Sequence, residues 1–342
     1  MTSRERLTRA ISFQGPDRAP IHHYIFPGAF YRHGEALLKV AERYPDDFGN
    51  EGVQPPPPEP VEASNEIVEW QDAWGTVWRR LKGYTSGEVQ TPAIPTWDRW
   101  SEYQFPPTPS EQHFEGFRAH VATLHPERFV NGSGGSLFQL VEHLRGPANL
   151  LMDLAEDRQE IHELVDRLVE YHLVSIKGYL AAGVDCVAFG DDWGAQDRVL
   201  IHPDMWRRFW KPRYKRMFDA IKETGKFVWF HTDGWILEII PDLIEIGVDV
   251  LNPQHHCMGD ERVAELAAGK VCIRTDIDRQ RLIPFGTPEE IRAYVKKVLK
   301  LFGDHNGGII LHGEVGPEVP LENVEAMYAA FYEFGGYPFA WS

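Results

Sequence analysis

From residue 184 onward the chain alternates short apolar runs with helical segments at near-regular intervals, and this recurrence leaves few folds open. Val184-Asp185-Cys186-Val187-Ala188-Phe189-Gly190 is almost continuously apolar and runs into acids, as a strand buried on both faces should. The pattern predicts a helix over 203–224 stopped by Gly225, then strand 227–230, helix 237–246, strand 248–251, helix 261–268 and strand 271–274. A helix opened by Thr287, a last strand over 308–311 and a final helix over 321–334 complete it. Thr287 as N-cap, Pro288 in the first helical position and Glu290 three residues after the cap make a capping box.

Upstream, 129–132 reads as another strand, 18–26 as a first and 46–50 as a weak second, which brings the count to eight. Repeated strand–helix units imply parallel strands, and eight of them favour closure into a (β/α)8 TIM barrel, an α/β fold. At 342 residues the chain fits a single barrel domain spanning 1–342. Residues 55–109 interrupt the rhythm. A Pro-rich stretch there precedes Trp70-Gln71-Asp72-Ala73-Trp74-Gly75-Thr76-Val77-Trp78-Arg79 and a second segment from Tyr84 to Val89, which together look like an inserted hairpin. Such an insertion suits a lid or a subunit contact, which leaves a homodimer open.

The charge balance, 35 Lys+Arg against 51 Asp+Glu for a net −16, offers no phosphate-tracking surface and argues against nucleic acid as a partner. No apolar stretch reaches membrane-spanning length, and the first residues, Met1-Thr2-Ser3-Arg4-Glu5-Arg6-Leu7, lack a signal-peptide core. Three cysteines, Cys186, Cys257 and Cys272, are too few for a disulfide framework. A cytoplasmic location without membrane contact is expected.

Catalytic groups of such barrels sit at the C-terminal ends of the strands, where the following loops converge. Five ends carry acids, imidazoles or a thiol: Asp191-Asp192-Trp193, His231-Thr232-Asp233-Gly234, Gln254-His255-His256-Cys257, Asp276-Ile277-Asp278 and His312-Gly313-Glu314. A single acid after a strand is usually a helix cap or an ion-pair partner. Five charged ends at one mouth need a metal, a cationic ligand or shared protons to offset their repulsion. Asn131-Gly132-Ser133-Gly134-Gly135-Ser136 lacks the lysine and spacing of a phosphate loop and is expected to line the mouth.

The segments Gly183-Val184-Asp185, Gly190-Asp191-Asp192-Trp193-Gly194-Ala195-Gln196, His202-Pro203, Phe230-His231-Thr232-Asp233-Gly234, Gly247-Val248-Asp249-Val250-Leu251-Asn252-Pro253-Gln254 and Pro320-Leu321-Glu322-Asn323 resemble the uroporphyrinogen decarboxylase superfamily. The Asp72-Ala73-Trp74-Gly75 turn is similar to that of its methyltransferase-like members. True decarboxylases of the superfamily carry an arginine-rich stretch after the first strand that holds substrate carboxylates. Here that region reads Ile21-His22-His23-Tyr24-Ile25-Phe26-Pro27-Gly28, which disfavours a porphyrinogen substrate. Thiol-directed methyltransferases of the superfamily hold zinc with a His-x-Cys and a further cysteine. His231 matches, Asp233 stands at the first cysteine and Gly313 lies near the second.

The resemblance therefore implies a methyltransferase or demethylase acting on a small methylated or methoxylated compound. A divalent metal, zinc for instance, is the implied cofactor, and a separate corrinoid protein the implied partner. His231, Asp233, His256 and Glu314 are the candidate metal ligands, and Asp191, Asp192, His231 and Glu314 the candidate catalytic groups. His22, Tyr24, Asn131, Gln196, Gln254, His255, Arg274 and Asp276 are the candidate substrate contacts. Two other readings stay open: a cofactor-free decarboxylase or lyase acting on a small organic acid through Asp191, and a ligand-binding protein without catalysis. The bland alternative for Asp233 is to cap a helix beginning near Trp235.

Overall fold

The computed structural model describes residues 1–48, 67–81 and 87–341. Its strands are β1 (Ile21–Ile25), β2 (Ile67–Gln71), β3 (Val77–Leu81), β4 (Glu88–Thr91), β5 (Asn131–Gly135), β6 (Cys186–Gly190), β7 (Phe227–Thr232), β8 (Val250–Pro253), β9 (Cys272–Arg274) and β10 (Ile309–Val315). Seven of them form one parallel sheet in the order β1-β10-β9-β8-β7-β6-β5. The segment ending at Phe48 spans the two edges of this sheet. The Asp47 N–H donates to the Ile21 carbonyl (2.9 Å), and Phe48 bridges in parallel to Phe129. The architecture is a (β/α)8 barrel in which this segment takes the second strand's place.

The expected second strand over 46–50 is reduced, among the described residues, to that single bridge; 49 and 50 lie outside them. Pro45-Asp46-Asp47 is poor strand material, and the Asp47 carboxylate takes over part of the ladder by accepting the Ile21 N–H at 2.8 Å. The helix expected over 203–224 divides into Pro203–Phe209 and Lys211–Lys222, because Pro212 removes a donor and disfavours helical geometry at the residue before it. The one expected over 237–246 opens as a 3-10 turn, Leu237–Ile239, before Ile240–Glu245. The capping box at Thr287 and the final helix Leu321–Phe334 stand as expected.

Alternation along parallel strands decides what faces the bore. His22 on β1 stacks on Phe48 (3.9 Å between centroids) and meets Trp229 on β7 edge-on (6.3 Å). Strands so far apart in the sheet can touch only through the interior. The floor of the bore is apolar: Phe48, Phe129, Cys186, Trp229, Val250, Cys272 and Ile310 pack together with Leu7 and Ile11 from the N-terminal helix Ser3–Ile11. Two residues further along each strand the bore turns polar, with His22, Asn252, Arg274 and His312; another two bring Tyr24, Asp276 and Glu314 to the mouth.

The insertion is more than a hairpin. β2 and β3 pair antiparallel around a turn at Asp72, and β4 adds a third strand through a bulge at Val77/Trp78. Asp72 nucleates the turn: its carboxylate accepts from Trp74 N (2.9 Å), Thr76 N (2.9 Å) and Trp78 Nε1 (2.7 Å). Trp78 packs on His143 and Trp74 on Tyr171, so the described part of the insertion leans on helices Phe138–Arg145 and Gln159–Ala182. No helix among the described residues is long and apolar enough to cross a membrane.

Candidate functional site

The loops after β6 and β7 are locked together by two glycines. A Cβ on Gly194 would lie 2.2 Å from the Trp235 nitrogen, and one on Gly234 would lie 2.1 Å from the Gly194 carbonyl oxygen. Gly234 also has φ +77°, a conformation L side chains rarely adopt. Around this crossing the Asp233 N–H donates to Asp192 Oδ1 (2.9 Å) and Trp193 N–H to Thr232 Oγ1 (3.3 Å). Only glycine permits the approach, and the approach sets Asp192 beside His231.

Asp191 and Asp192 are neighbours with opposite fates. Asp191 is buried and accepts the backbone N–H groups of Leu137 (2.8 Å), Phe138 (3.1 Å) and Gln139 (2.8 Å), together with the Tyr214 hydroxyl. Burial pushes its carboxyl up to about 7 against the pull of those three N–H groups. Both its oxygens are engaged at the start of helix Phe138–Arg145, away from the mouth. Asp192 points into the mouth instead, where Oδ2 accepts from the Gln139 side chain at 2.6 Å.

His231, next to last in β7, has Nδ1 2.8 Å from Asn252 Oδ1, which fixes the ring and leaves Nε2 facing two carboxylates: Asp233 Oδ1 at 3.6 Å and Asp192 Oδ1 at 3.8 Å. One donor atom from each of Asp192, His231 and Asp233 falls within 4.8 Å of the others. Asp233 Oδ2 binds Arg279 (2.6 Å), whose other nitrogens reach Glu314 and, at 3.8 Å, Asp276. Asp233 Oδ1 is buried and has no hydrogen-bond partner. Asp233 caps no helix: the next turn begins at Leu237, with Ile236 at its N-cap.

Beneath this cluster lies the polar layer of the bore. Arg274 donates to Asn252 Oδ1 and lies 3.0 Å from His312 Nδ1, with its guanidinium over the Trp229 ring. Burial first, then Arg274 and His22, hold His312 well below its ordinary range, so it is a neutral ring.

The ends of β8 and β9 form a second group. Gln254 Oε1 accepts the Gly234 N–H (2.8 Å) and is structural. His255 is fully buried, with Nδ1 2.7 Å from Asp260 Oδ1 and Nε2 accepting the Asp276 N–H at 3.1 Å. His256, next to it, has no hydrogen-bond partner on either nitrogen; Nδ1 lies 3.8 Å from Asp276 Oδ2 and Nε2 3.8 Å from Asp278 Oδ1. Asp276 is buried with both carboxyl oxygens unpartnered, and burial pushes it up to about 8, with Arg279 pulling the other way. The Cys257 thiol is raised to about 11, by burial first and then by Asp276, which makes it a poor thiolate donor.

Of the residues singled out from the sequence, the fold brings His231, Asp192 and Asp233 together. Glu314 joins them only through Arg279, and His256 falls into the neighbouring group rather than among the three clustered donors. His22, Asn131 and Arg274 are buried in or beside the bore, Tyr24 is half-exposed at its rim, and Gln196 reaches Gln280 at 3.5 Å in the outer loops. Sequence reasoning missed Arg279, Asn252, Gln139 and Tyr214. Arg279 was within reach, three residues past Asp276 in a loop already crowded with acids; Gln139 and Tyr214 arrive from helices and carry no local signal.

The residues present fit a divalent cation. An orphaned, buried carboxylate oxygen faces a ring nitrogen and a second carboxylate, and the donors are two oxygens and one nitrogen. This set is harder than the cysteine-bearing one implied by the resemblance.

A parallel eight-fold barrel with a histidine–carboxylate cluster at the C-terminal mouth defines the class: a barrel whose chemical groups gather at the strand ends. The chain belongs to the uroporphyrinogen decarboxylase (URO-D) family, whose profile it matches over residues 82–334. It is 31% identical over 167 residues to the uroporphyrinogen decarboxylase of Thermus thermophilus, a match covering 48% of this chain and 46% of that protein. It is 24% identical over 235 residues to the methylcobamide:CoM methyltransferase MtaA of Methanosarcina barkeri, covering 62% of this chain and 63% of that protein. The chain thus spans about half to under two thirds of the length of these relatives. A methyltransferase from Methanosarcina mazei has the same fold, with TM-score 0.71 at 18% identity over 98% of this chain and 99% of that one.

Proposed function

We propose that the protein is an enzyme that transfers a methyl group from a small methylated or methoxylated compound to an acceptor carried by a separate corrinoid protein. The observation that carries the reading is the orphaned Asp233 Oδ1, held 3.6 Å from His231 Nε2 beside Asp192. Asp192, His231 and Asp233 would hold a divalent cation such as zinc, which when bound supplies Lewis acidity at the departing heteroatom. Asn252 orients His231, and Gln139 and the Asp233 N–H orient Asp192. Arg279 holds Asp233 and Glu314 apart as fixed carboxylates and keeps the mouth from accumulating unpaired charge.

The similarity to MtaA supports methyl transfer, and the loss of an arginine-rich first loop speaks against a porphyrinogen substrate. A partner is supported by the rim. Tyr24, Phe26, Tyr31, Leu200 and Phe285 all lie in or beyond the C-terminal ends of barrel strands, and all stay exposed, Phe285 by 79%. The test is methylation of cob(I)alamin, followed by its absorbance change, with a panel of methoxylated and N-methylated compounds. Turnover that His231→Ala abolishes is expected; turnover unaffected by that variant would remove the cluster from the reaction.

The second reading, a cofactor-free decarboxylase of a small organic acid, draws on the Arg274 guanidinium in the layer below His231, where a carboxylate could be met. Release of carbon dioxide without methyl transfer would select it.

A further inference from the structure

Each of the three clustered donors has its second polar atom held by a neighbour. The Asn252 amide is fixed, because its Nδ2 donates to the carbonyls of Arg274 (3.0 Å) and Thr275 (3.3 Å). Its Oδ1 therefore accepts from His231 Nδ1 at 2.8 Å, which puts the ring proton on Nδ1 and the lone pair on Nε2. Asp192 Oδ2 accepts the Gln139 side chain at 2.6 Å. Asp233 Oδ2 accepts from Arg279 Nη2 at 2.6 Å, while Asp233 Oδ1, buried and without a hydrogen-bond partner, faces His231 Nε2 at 3.6 Å. The cluster thus offers one atom from each residue, a nitrogen and two oxygens.

Arg279 has the most to hold. Its fork spans two carboxylates, Asp233 through Nη2 and Glu314 through Nη1, and its side chain is only 20% exposed. A guanidinium can bridge in this way because its donors are fixed in one plane, whereas an ammonium is a single point of charge. Without the fork, Asp233 has both oxygens to give, and the Glu314 carboxylate, tied to the cluster only through Arg279, is released beside it. The donor set then turns from sparse to oxygen-rich. That difference decides which ion is suited. Zinc takes four ligands and at reactive sites keeps one position open, so three protein atoms are enough. Manganese, magnesium and calcium ions take about six or more ligands, mostly oxygen.

We propose that Arg279 sets the metal selectivity of the cluster: by holding one oxygen of Asp233 and drawing Glu314 aside, it keeps the site to three donor atoms and favours a four-coordinate ion over ions that need an oxygen-rich shell. The inference rests on the cation site of the reading above and not on its methyl chemistry. Arg279 is a positioning residue that acts through Asp233 and Glu314.

Calorimetric titration of chelator-treated protein with zinc and with manganese(II) gives the two dissociation constants and their ratio. Arg279→Lys keeps the charge and loses the fork; Arg279→Gln loses both. In each variant the preference for zinc over manganese(II) should narrow about 100-fold. A purely electrostatic role predicts instead that Arg279→Gln tightens both ions alike and that Arg279→Lys changes neither; that pattern would overturn the proposal. Adding Glu314→Gln to Arg279→Lys should restore at least ~10-fold of the lost preference, and no restoration would remove Glu314 from the account. Cobalt(II) in place of zinc reports coordination directly. The wild type should show the intense visible absorption of a tetrahedral ion, and both Arg279 variants the weak bands of a six-coordinate one. A six-coordinate spectrum in the wild type would overturn the proposal even where the variants fail to fold. If the wild type binds no divalent ion, the cation site and this inference fall together; zinc binding with an unchanged ratio in the variants overturns the inference alone.

Discussion

The two ends of the barrel treat their carboxylates in opposite ways. At the N-terminal end Asp47, Asp185 and Asp249 each accept a backbone N–H from the start of a neighbouring strand, those of Ile21 (2.8 Å), Val130 (3.1 Å) and Val228 (2.8 Å). Each also meets cationic side chains: Arg6 and Arg18 for Asp47, Arg4 for Asp185, Lys222 for Asp249. At the C-terminal end Asp233, Asp276 and Glu314 share the guanidinium of Arg279, and three of their oxygens have no hydrogen bond. The first arrangement holds strands in register. The second stores unmet hydrogen-bonding capacity where a ligand would enter, and that capacity is what a stability criterion alone would have removed.

The largest expected effect breaks the frame that carries the mouth. Gly234→Ala would drive a Cβ into the Gly194 carbonyl at a positive φ, and a loss of about 4 kcal/mol or more is expected, read as insoluble or unfolded protein. Normal expression and melting would show that the loops can part.

A pair of substitutions then sharpens the contrast between the ends. Asp185→Asn should cost about 3 kcal/mol in chemical denaturation while leaving activity per folded molecule intact. Asp233→Asn should do the reverse, with melting near the wild type and activity down at least ~100-fold. If both variants lose stability alike, the division between the ends is wrong.

A further contrast concerns pH. Burial keeps Asp276 protonated to about pH 8 in the fold, whereas in the unfolded chain it ionises near ~4. The folded state therefore binds that proton more tightly. Its contribution is complete below ~4 and is lost as pH rises through about 8. Asp276→Asn, which carries no such proton, should melt progressively higher than the wild type as pH is raised across that window; a constant difference would contradict the assignment.

How much of this was readable beforehand follows from the range of the interactions. Helix Leu321–Phe334, the Thr287 capping box and seven barrel strands are written locally, in period and in cap chemistry. The second strand was not, because Asp47 uses its side chain where a strand would use backbone. Strand ends marked the mouth correctly, but not which of two neighbours faces it. Asp191 and Asp192, or His255 and His256, are alike in sequence; their fates are set by Tyr214, Gln139 and Asp260, which arrive from distant elements. Arg279 ties three strand ends from within a loop, a geometry that periodicity does not report.

Elemental analysis of protein purified without chelator, comparing the wild type with His231→Ala, tests the central claim most directly. The account predicts about one equivalent of a divalent metal in the wild type and its loss in the variant. No metal in the wild type, or the same amount in both, would contradict a cation site built from Asp192, His231 and Asp233.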